Sequence, residues 1–416
     1  MKDLFVKRVI PFIRGLSFDG DRGRFIKYEK NPEKITHIKH YINKLTQDSK
    51  LLNPPLFADF LIEEEYWGEK KDDILARLSQ DYKQYKDQYH HHPRVIVLGE
   101  NEILFSGSTY QESLAIQNDP FAEFLRSSAD QKGETKSEFE MSKYVDGKVI
   151  VVTGGAQGIG ACLVRSLVKM NAFLLVADIN VEGAEQLVEE LNNFYNKKCA
   201  SAVSVDVTDE QSVQEMTEEI VKKVGGIDVF INNAGVLKAG SVKEMNFQDF
   251  QFVNKVNYFG YFLCTKYVSK VMSWQNKANP DYITDIIQIN SKSGLEGSYK
   301  NCAYAGSKFA GIGLTQSFAK ELIEDGIKVN SICPGNFFEG PLWSDPQNGL
   351  FIQYLKSGKV PGARDIDDVR RFYESKIPMG RGCLCEDIVK AVLYIIGQQY
   401  ETGQAIPVTG GQVMLR

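Results

Sequence analysis

The sequence predicts an α/β protein with a doubly wound parallel sheet, preceded by a smaller α+β domain. Two observations support this fold class. From residue 148 onward, short apolar runs alternate with segments whose apolar residues recur at helical spacing, whereas the N-terminal part lacks this regularity. Parallel strands joined by helices are covered on both faces, so their sequences are apolar almost throughout.

Seven runs in the C-terminal part are interpreted as strands of one sheet. Helical patterns such as "ACLVRSLVKM" and "GAEQLVEELNNFY" lie between successive runs, which indicates βαβ units. The strands are predicted at residues 148–153, 173–178, 200–207, 227–233, 285–291 and 327–333, with "PVTGG" near the C terminus as the last.

The N-terminal part, residues 1–125, is expected to be a separate small α+β domain. Residues 126–144 have the polar, mixed-charge composition of a linker, and the sheet domain spans 145–416. Within the small domain, 70–89 is predicted to be a helix and 93–107 two strands joined by a turn. The first sixteen residues are interpreted as a strand or an edge element.

Composition excludes several classes of function. The 416 residues carry a net charge of −5, which argues against a general nucleic-acid binder, and no apolar run reaches the ~18 residues of a membrane span. The seven cysteines are scattered, so a reducing cytoplasm is the simplest setting. His92 is the last histidine, so histidine-based hydrolysis and histidine-ligated zinc are not expected beyond it.

A glycine-rich stretch, "TGGAQGIG" (153–160), lies between the first strand and the first helix. Glycines allow a pyrophosphate to approach the backbone, and a helix beginning near Ile159 offers it free N–H groups. Asp178 ends the second strand, where a carboxylate can accept hydrogen bonds from an adenosine ribose and would repel a 2′-phosphate. The pattern favours NAD over NADP; the alternatives are a glycine-rich turn and a solvated carboxylate.

The stretch "YAGSK" (304–308) places a lysine one helical turn after a tyrosine. Tyr304 and Lys308 therefore lie on one helix face. A nearby ammonium is expected to lower the pKa of the tyrosine, which would then be a usable general base near neutral pH. The alternative is an ordinary surface pair.

With "NNAG" (232–235), "INSKSG" (289–294) and "CPG" (333–335) in the same order, residues 145–416 resemble the short-chain dehydrogenase/reductase family. The resemblance implies a Rossmann fold, a nicotinamide cofactor, oxidoreduction of a CH–OH group and no metal. It implies a catalytic set of Asn257, Ser291, Tyr304 and Lys308. It also implies cofactor contacts from Tyr304 and Lys308 and from Gly154, Gln157, Gly158, Ile159, Gly160, Asp178, Ile179, Asp206, Val207, Asn233, Ala234, Gly235, Pro334 and Gly335. Ser293, Asn336 and Arg381 are the candidate substrate residues.

Stretches around the expected pocket, among them "IIQINSKSGLEGS" and "PGNFFEGPLW", resemble the sorbitol-6-phosphate 2-dehydrogenase subgroup. This implies hydride transfer between NAD and a sugar or polyol phosphate, sorbitol 6-phosphate or fructose 6-phosphate. Two features depart from that subgroup: the N-terminal extension, and Glu339, whose carboxylate would not help to hold a phosphate. A dehydrogenase of an unphosphorylated polyol or another secondary alcohol, and a catalytically silent NAD-binding regulatory or scaffold protein, stay open as alternatives.

The lid segment, defined here as residues 342–382, is long for a connection and carries more basic than acidic residues. Arginine can bind phosphate through two hydrogen bonds, and Arg381 is the preferred candidate. The alternative interpretation of the segment is a solvated helix of mixed charge. The expected partners are a small-molecule substrate and further copies of the chain, as a dimer or tetramer, with neither nucleic acid nor membrane.

Two patches of the N-terminal part, 32–40 and 93–107, weakly resemble class II aldolase/adducin-type domains. The metal-binding histidines of that family are not matched, so neither a metal nor aldolase activity is expected. His90–His92 could bind a metal, but a polar loop before a strand is the preferred interpretation. We expect residues 1–125 to serve in assembly or partner binding and not in hydride transfer.

Overall fold

The computed structural model describes residues 5–18, 23–29, 35, 57–60, 71–89, 92–93, 95–98, 102–118, 140–347, 349–356 and 358–414. The chain forms two compact units. The first consists of Met1–Glu138, Thr217–Asp228 and Lys270–Ile283, and the second of Phe139–Met216, Val229–Ser269 and Thr284–Arg416.

The first unit contains a four-stranded mixed sheet with strand order β1-β4-β3-β2. Strand β4 is antiparallel to β1 and β3, and β2 is parallel to β3. The elements are α1 (Ile10–Leu16), β1 (Phe25–Glu29), β2 (Phe57–Phe60), α2 (Lys71–Tyr89), β3 (Val95–Leu98), β4 (Glu102–Gly107) and α3 (Tyr110–Asn118). The predicted helix over 70–89 and the predicted pair of strands over 93–107 are therefore confirmed.

The interpretation of the first residues as a strand was wrong. Phe5–Val9 form a π-helical turn that continues into α1. Pro11 lies in the first turn of α1, where its missing N–H and fixed φ suit a helix. Ile10 and Ile13, three residues apart, are fully buried, so the apolar spacing is that of a helix face.

A buried polar network lies at the centre of the first unit. Arg14 Nη2 donates to Asp228 Oδ2 at 2.8 Å, and Tyr282 Oη donates to the other oxygen of the same carboxylate. Arg14 Nη1 donates to the carbonyl oxygens of Arg24 and Val224. The side chains of Arg14 and Asp228 are completely buried. The network thus joins positions more than two hundred residues apart in the sequence.

The second unit is built on a seven-stranded parallel sheet with order β11-β10-β9-β8-β5-β6-β7, as the doubly wound fold class predicts. Its strands are β5 (Val149–Thr153), β6 (Phe173–Asp178), β7 (Ala200–Ser204), β8 (Val229–Asn232), β9 (Thr284–Ile289), β10 (Ile327–Pro334) and β11 (Ala405–Val408). The helices that begin in this unit are α4 (Gly158–Lys169), α5 (Val181–Phe194), α6 (Glu210–Val224), α7 (Phe247–Asn254), α8 (Gly260–Ala278), α9 (Cys302–Leu322), α10 (Pro341–Ser344), α11 (Leu350–Lys356), α12 (Ile366–Ser375) and α13 (Cys385–Gly397).

The order of the strands explains where the site lies. Strand β5 pairs with β6 on one side and with β8 on the other. From β5 the chain adds β6 and β7 on one side of the sheet and then returns to add β8 to β11 on the other side, so the strand order reverses between β5 and β8. Ligands of open α/β sheets bind beyond the carboxyl ends of the strands at such a point. The glycine-rich stretch, "NNAG", "INSKSG" and "CPG" follow or end β5, β8, β9 and β10, so all four motifs meet at this edge.

The lid segment, predicted from its length as a long connection, contains three short helices. Helices α10, α11 and α12 surround a separate apolar cluster of buried aromatic and aliphatic side chains. Its buried members are Phe338, Trp343, Leu350, Phe351, Tyr354, Val360, Val369 and Ile377. This core holds the lid segment in a defined arrangement.

Two sequence predictions lie partly outside the described residues. The predicted linker over 126–144 is described only at Glu140–Tyr144, which form a 3₁₀ helix. Of the five histidines only His92 is described; Tyr82 Oη lies 2.8 Å from its Nδ1.

Two cysteines whose pairing the sequence did not suggest form a disulfide. Cys162 of α4 and Cys385 of α13 are bonded through their sulfurs, with the Cα atoms 5.9 Å apart. No helix among the described residues combines the length and apolar character needed to cross a membrane.

Candidate active site

The glycine-rich loop has the backbone geometry of a pyrophosphate cradle. Gly154 and Gly158 have φ of +62° and +56°, in the left-handed region that favours glycine. A Cβ at Gly160 would lie 2.0 Å from the carbonyl oxygen of Gly154. Helix α4 begins at Gly158, and its N-cap residue Gln157 makes no side-chain capping bond, so the first N–H groups stay available to an anion. The loop therefore fits a dinucleotide.

The loop is held from beneath by Thr153 and Asn233. Thr153 Oγ1 accepts from the backbone N–H groups of Asn233 and Ala234, each at 3.1 Å. Asn233 Nδ2 donates to the carbonyls of Thr153 and Gly154 at 3.0 and 2.9 Å. The side chain of Asn233 thus shapes the loop. Sequence reasoning missed Thr153, although the threonine that opens "TGGAQGIG" was the available signal.

Asp178 ends β6 beside this loop, and its side chain is almost fully buried. Its Oδ2 accepts from the N–H of Ala156 and its Oδ1 from the N–H of Asn180, both at 2.9 Å. A carboxylate oxygen has further acceptor capacity, so a ribose hydroxyl can still bind here. Ile179, beside it, is exposed.

The other predicted cofactor residues lie at the ends of the neighbouring strands. Asp206 Oδ1 accepts from the backbone N–H and the hydroxyl of Thr208, at 2.9 and 2.8 Å. Val207 is buried. The N–H of Gly335 donates to Val408 at 2.9 Å, which ties the segment after β10 to β11. Contacts of these residues with a cofactor stay a prediction, as do those of Ile159, Gly235 and Pro334.

Tyr304 and Lys308 lie on α9, and Ser291 follows β9. Lys308 Nζ donates to the carbonyl of Ile289 at 3.0 Å and lies 5.5 Å from the centre of the Tyr304 ring. Burial lowers the pKa of Lys308 to about 8. Burial raises the pKa of Tyr304, and the Ser291 side chain acts in the opposite direction.

The expected lowering of the Tyr304 pKa by Lys308 is therefore not found in the chain alone. The ammonium group bonds a carbonyl and faces the ring. Desolvation then dominates, because burial disfavours the phenolate. The positive charge of an oxidised nicotinamide would act in the lowering direction. The sequence pattern placed the two side chains correctly on one face, but it could not reveal their burial.

Asn257 lies in a π-helical turn, Lys255–Phe259, between α7 and α8. Its Nδ2 donates to the Val236 carbonyl at 2.9 Å and to Ser307 Oγ at 3.0 Å, while its Oδ1 accepts from the Val236 N–H at 2.8 Å. Ser307 Oγ in turn donates to the carbonyl of Tyr304 at 2.8 Å. Ser307, missed by sequence reasoning, connects the asparagine to the helix of the tyrosine. Local π-helical turns occur often at functional sites.

Cys333 is a second residue that sequence reasoning missed. Its side chain is fully buried at the end of β10, and burial raises its thiol pKa to about 11. The thiol lies close enough to Tyr304 and Lys308 to act on both groups, and it acts to raise the pKa of each. It stays neutral near pH 7 and adds to the low polarity around the tyrosine.

The predicted substrate residues have different surroundings. Ser293 is buried, and its N–H donates to Ser291 Oγ at 3.1 Å. Asn336 and Arg381 line one cleft. The Arg381 guanidinium bonds both oxygens of Asp387, at 2.6 and 3.0 Å, so its charge already has a partner. Among the described residues no group of three or more histidine, cysteine, aspartate or glutamate side chains could hold a metal.

Comparison with known proteins agrees with this geometry. A family model described as short chain dehydrogenase matches residues 148–342. Sorbitol-6-phosphate 2-dehydrogenase of Escherichia coli (strain K12) is 37% identical over 270 residues, which are 64% of this chain and 99% of that protein. Sorbitol dehydrogenase of Cereibacter sphaeroides is 28% identical over 272 residues, 65% of this chain and 99% of that protein.

A solved structure is similar as well. The crystal structure of the sorbitol-6-phosphate 2-dehydrogenase SrlD from Erwinia amylovora has 36% sequence identity and a TM-score of 0.59, and the match covers 64% of this chain and all of that one. The loop, the strand order and these relatives lead to one conclusion: the chain belongs to the short-chain dehydrogenase family and is an oxidoreductase that acts on CH–OH groups.

Proposed function

We propose that the protein is an NAD-dependent dehydrogenase that interconverts sorbitol 6-phosphate and fructose 6-phosphate. The observation that carries the proposal is its 37% identity to the Escherichia coli sorbitol-6-phosphate 2-dehydrogenase across 99% of that protein. The similarity therefore includes the segments that line the substrate pocket. Ser291, Tyr304 and Lys308 supply the groups that this chemistry needs.

Each side chain of the site has a role that its position supports. The bound nicotinamide would accept or donate the hydride. Tyr304 takes the proton of the alcohol as general base, and Ser291 hydrogen-bonds the same oxygen and orients it. Lys308 binds the cofactor ribose and adds positive charge near the tyrosine. Asn257 and Ser307 hold the tyrosine helix through the hydrogen bonds described above.

The choice of NAD over NADP rests on Asp178. Its carboxylate lies at the end of β6 and braces the glycine-rich loop through the N–H of Ala156. A 2′-phosphate placed beside this buried carboxylate would bring two like charges together, which costs binding free energy.

A second candidate is the oxidation of an unphosphorylated polyol. The similarity to the Cereibacter sphaeroides sorbitol dehydrogenase, 28% identity over 99% of that protein, favours it. The exposed Glu339 beside the lid segment also favours it, because a carboxylate does not attract a phosphate.

Steady-state turnover of the full chain distinguishes the two candidates. NADH formation would be measured with sorbitol 6-phosphate and with sorbitol, and NADH consumption with fructose 6-phosphate and with fructose. A kcat/KM for the phosphorylated pair at least ~10-fold above that for the unphosphorylated pair supports the main proposal. The reverse order would establish the second candidate, and no turnover of either pair would exclude both.

We further propose that the protein is a homo-oligomer, a dimer or tetramer. Large apolar side chains are exposed around α7 and α8, which is typical of a surface that other copies cover. They are Phe247, Phe250, Phe252, Phe259 and Phe262. Size-exclusion chromatography with light scattering would give the number of copies, and a monomer at micromolar concentration would contradict this proposal.

A further inference from the structure

The charged residues of the lid segment fall into two classes. All four arginines pair with carboxylates within the described residues: Arg364 and Arg371 with Asp368, Arg370 with Glu374, and Arg381 with Asp387. Lys359 and Lys376 form no ion pair with a described residue. Each arginine, the natural phosphate candidate from the sequence, thus already has a carboxylate partner, although Arg364 and Arg371 share Asp368, whereas Lys359 and Lys376 keep their charge available.

Two further lysines come from the segment between the catalytic serine and the catalytic tyrosine. Lys292 directly follows Ser291, and Lys300 lies four residues before Tyr304. Lys292 forms an ion pair with Glu296 at 3.7 Å, whereas Lys300 has no ion-pair partner among the described residues. Within this second unit of the chain, two basic side chains therefore flank the residues that would hold the reacting carbon.

Lys359 and Lys376 lie beside two neighbouring rings. Lys359 Nζ is 3.8 Å from the centre of the Tyr354 ring, Lys376 Nζ is 5.7 Å from that of Tyr373, and the two ring centres are 5.4 Å apart. The ammonium groups of Lys300, Lys376 and Lys292 all repel that of Lys359. Burial and this repulsion together lower the pKa of Lys359 to about 8. Like charges around a half-buried ammonium group cost free energy, and an anion bound beside that group would reduce the cost.

Aromatic rings and backbone contacts hold several of these lysines in place. Lys359 Nζ lies 3.8 Å from the centre of the Tyr354 ring, and Lys376 Nζ lies 4.0 Å from that of Phe372. Rings at this distance attract an ammonium group and restrict its movement. Lys300 has φ of +53°, and its carbonyl accepts from the Gly240 N–H at 2.9 Å. The ammonium groups of Lys359 and Lys376 are therefore preorganised, which reduces the entropic cost of binding a ligand.

We propose that Lys292, Lys300, Lys359 and Lys376 form an anion subsite that binds the phosphate group of the substrate. This rests on the proposed function, because it assumes a substrate whose alcohol or ketone carbon lies at Ser291 and Tyr304. A phosphate ester at the far end of an open-chain hexose or hexitol would then lie between the lid segment and the 292–300 segment. The positive charge of these lysines would attract an ester dianion and would offset the unfavourable effect of the Glu339 carboxylate on a phosphate.

Calorimetric titration of the full chain saturated with NAD tests the subsite directly. The titrants are fructose 6-phosphate, fructose and inorganic phosphate, and the variants are Lys359→Met and Lys376→Met. Each variant should weaken fructose 6-phosphate binding by at least ~10-fold, since a hydrogen bond between charged groups is lost. Lys356→Met, an exposed lysine of the same segment outside the cluster, is the matched control and should stay within about twofold of the wild type.

Equal binding of fructose 6-phosphate by the wild type and both cluster variants would overturn the subsite. No binding of either fructose 6-phosphate or inorganic phosphate would overturn it as well. A variant that failed to fold would be recognised from its thermal unfolding curve. The binding test would then use the remaining variant of the two, Lys359→Met or Lys376→Met. If the wild type turned over neither phosphorylated substrate but bound inorganic phosphate through Lys359 and Lys376, the proposed function would fail and the subsite would stand.

The pH dependence gives an independent readout. Lys359 is surrounded by Lys292, Lys300 and Lys376 and rests on the Tyr354 ring, and its pKa of about 8 is that of the free protein. Binding of fructose 6-phosphate should therefore weaken between about pH 7 and about pH 9, a range in which the ester itself stays a dianion. In Lys359→Met this weakening should be much smaller, and an unchanged profile would contradict the role of Lys359.

Discussion

Each of the two compact units buries a basic side chain, but the surroundings differ. In the second unit, Lys308 bonds the carbonyl of Ile289, has no carboxylate partner among the described residues, and has its pKa lowered by burial to about 8. In the first unit, Arg14 is fully buried against Asp228, whose other oxygen accepts from Tyr282. Lys308 therefore has a positive charge without an acidic partner at the candidate active site, whereas the charge of Arg14 is paired with a carboxylate of the same unit.

The difference shows how the two regions use buried charge. A buried lysine without an acidic partner is costly, and such a cost is typical of functional sites, where a ligand interacts with it. A buried ion pair with its hydrogen bonds satisfied costs little while intact, but removal of one partner leaves an uncompensated charge. Substitutions in the second unit should therefore affect turnover, and those in the first unit should affect stability.

The largest expected effect is on turnover. Tyr304→Phe removes the proton acceptor and keeps the ring, so kcat should fall by ~10²–10⁴, the usual size of a lost general base. NAD affinity, measured by fluorescence titration, and the thermal unfolding midpoint should change little. Activity within a few-fold of the wild type would show that Tyr304 is not the base.

The next effect is on stability. Arg14→Met keeps the volume of the side chain but leaves Asp228 buried without its guanidinium, so the free energy of unfolding should fall by ~3–5 kcal/mol. Urea-induced unfolding measures this change, and kcat of the folded fraction should be retained.

The matched control for Arg14→Met is Arg165→Gln, which breaks an exposed ion pair with Glu190. Exposed pairs contribute little because water and salt screen them, so its unfolding curve should stay close to that of the wild type. If Arg14→Met behaved like this control, the buried network would not stabilise the first unit.

Cofactor preference gives a smaller effect within the second unit. The ratio of kcat/KM for NAD to that for NADP should be at least ~10, which corresponds to about 1.4 kcal/mol. Asp178→Asn keeps an acceptor for the Ala156 N–H but removes the negative charge, so it should lower the ratio of kcat/KM for NAD to that for NADP. An equal preference in the wild type would contradict the role of Asp178.

The smallest effect is expected for NAD binding after removal of the N-terminal segment. We propose that a chain beginning at Phe139 binds NAD with less than about a threefold change in affinity, or roughly 0.7 kcal/mol, because its binding residues follow residue 153. The truncation also removes Arg14, but water would then solvate the Asp228 carboxylate. It should therefore not cause the destabilisation expected for Arg14→Met, in which Asp228 stays buried.

The same truncation removes part of the first unit's apolar core, which contains Val221 and Val271. The shortened chain should therefore self-associate more, and size-exclusion chromatography would detect this. Loss of NAD binding in a soluble, folded chain of this length would mean that the N-terminal segment contributes to the active site.

The sequence by itself determined the parallel sheet and the residues of the candidate site. Strand and helix periods are set by residues close together in the sequence. The apolar run from Val149 to Thr153 and the four-residue spacing of Tyr304 and Lys308 could therefore be recognised without a structure. The strands of a parallel sheet end at a common edge, so motifs such as the glycine-rich stretch and "CPG" could be assigned to one site.

Tertiary structure alone decided the rest. The Arg14–Asp228–Tyr282 network and the cluster around Lys359 join side chains from distant parts of the chain, and no local spacing encodes such contacts. The rise in the Tyr304 pKa has the same origin. Burial depends on what packs over a side chain, and only the folded chain determines whether desolvation or a nearby charge dominates.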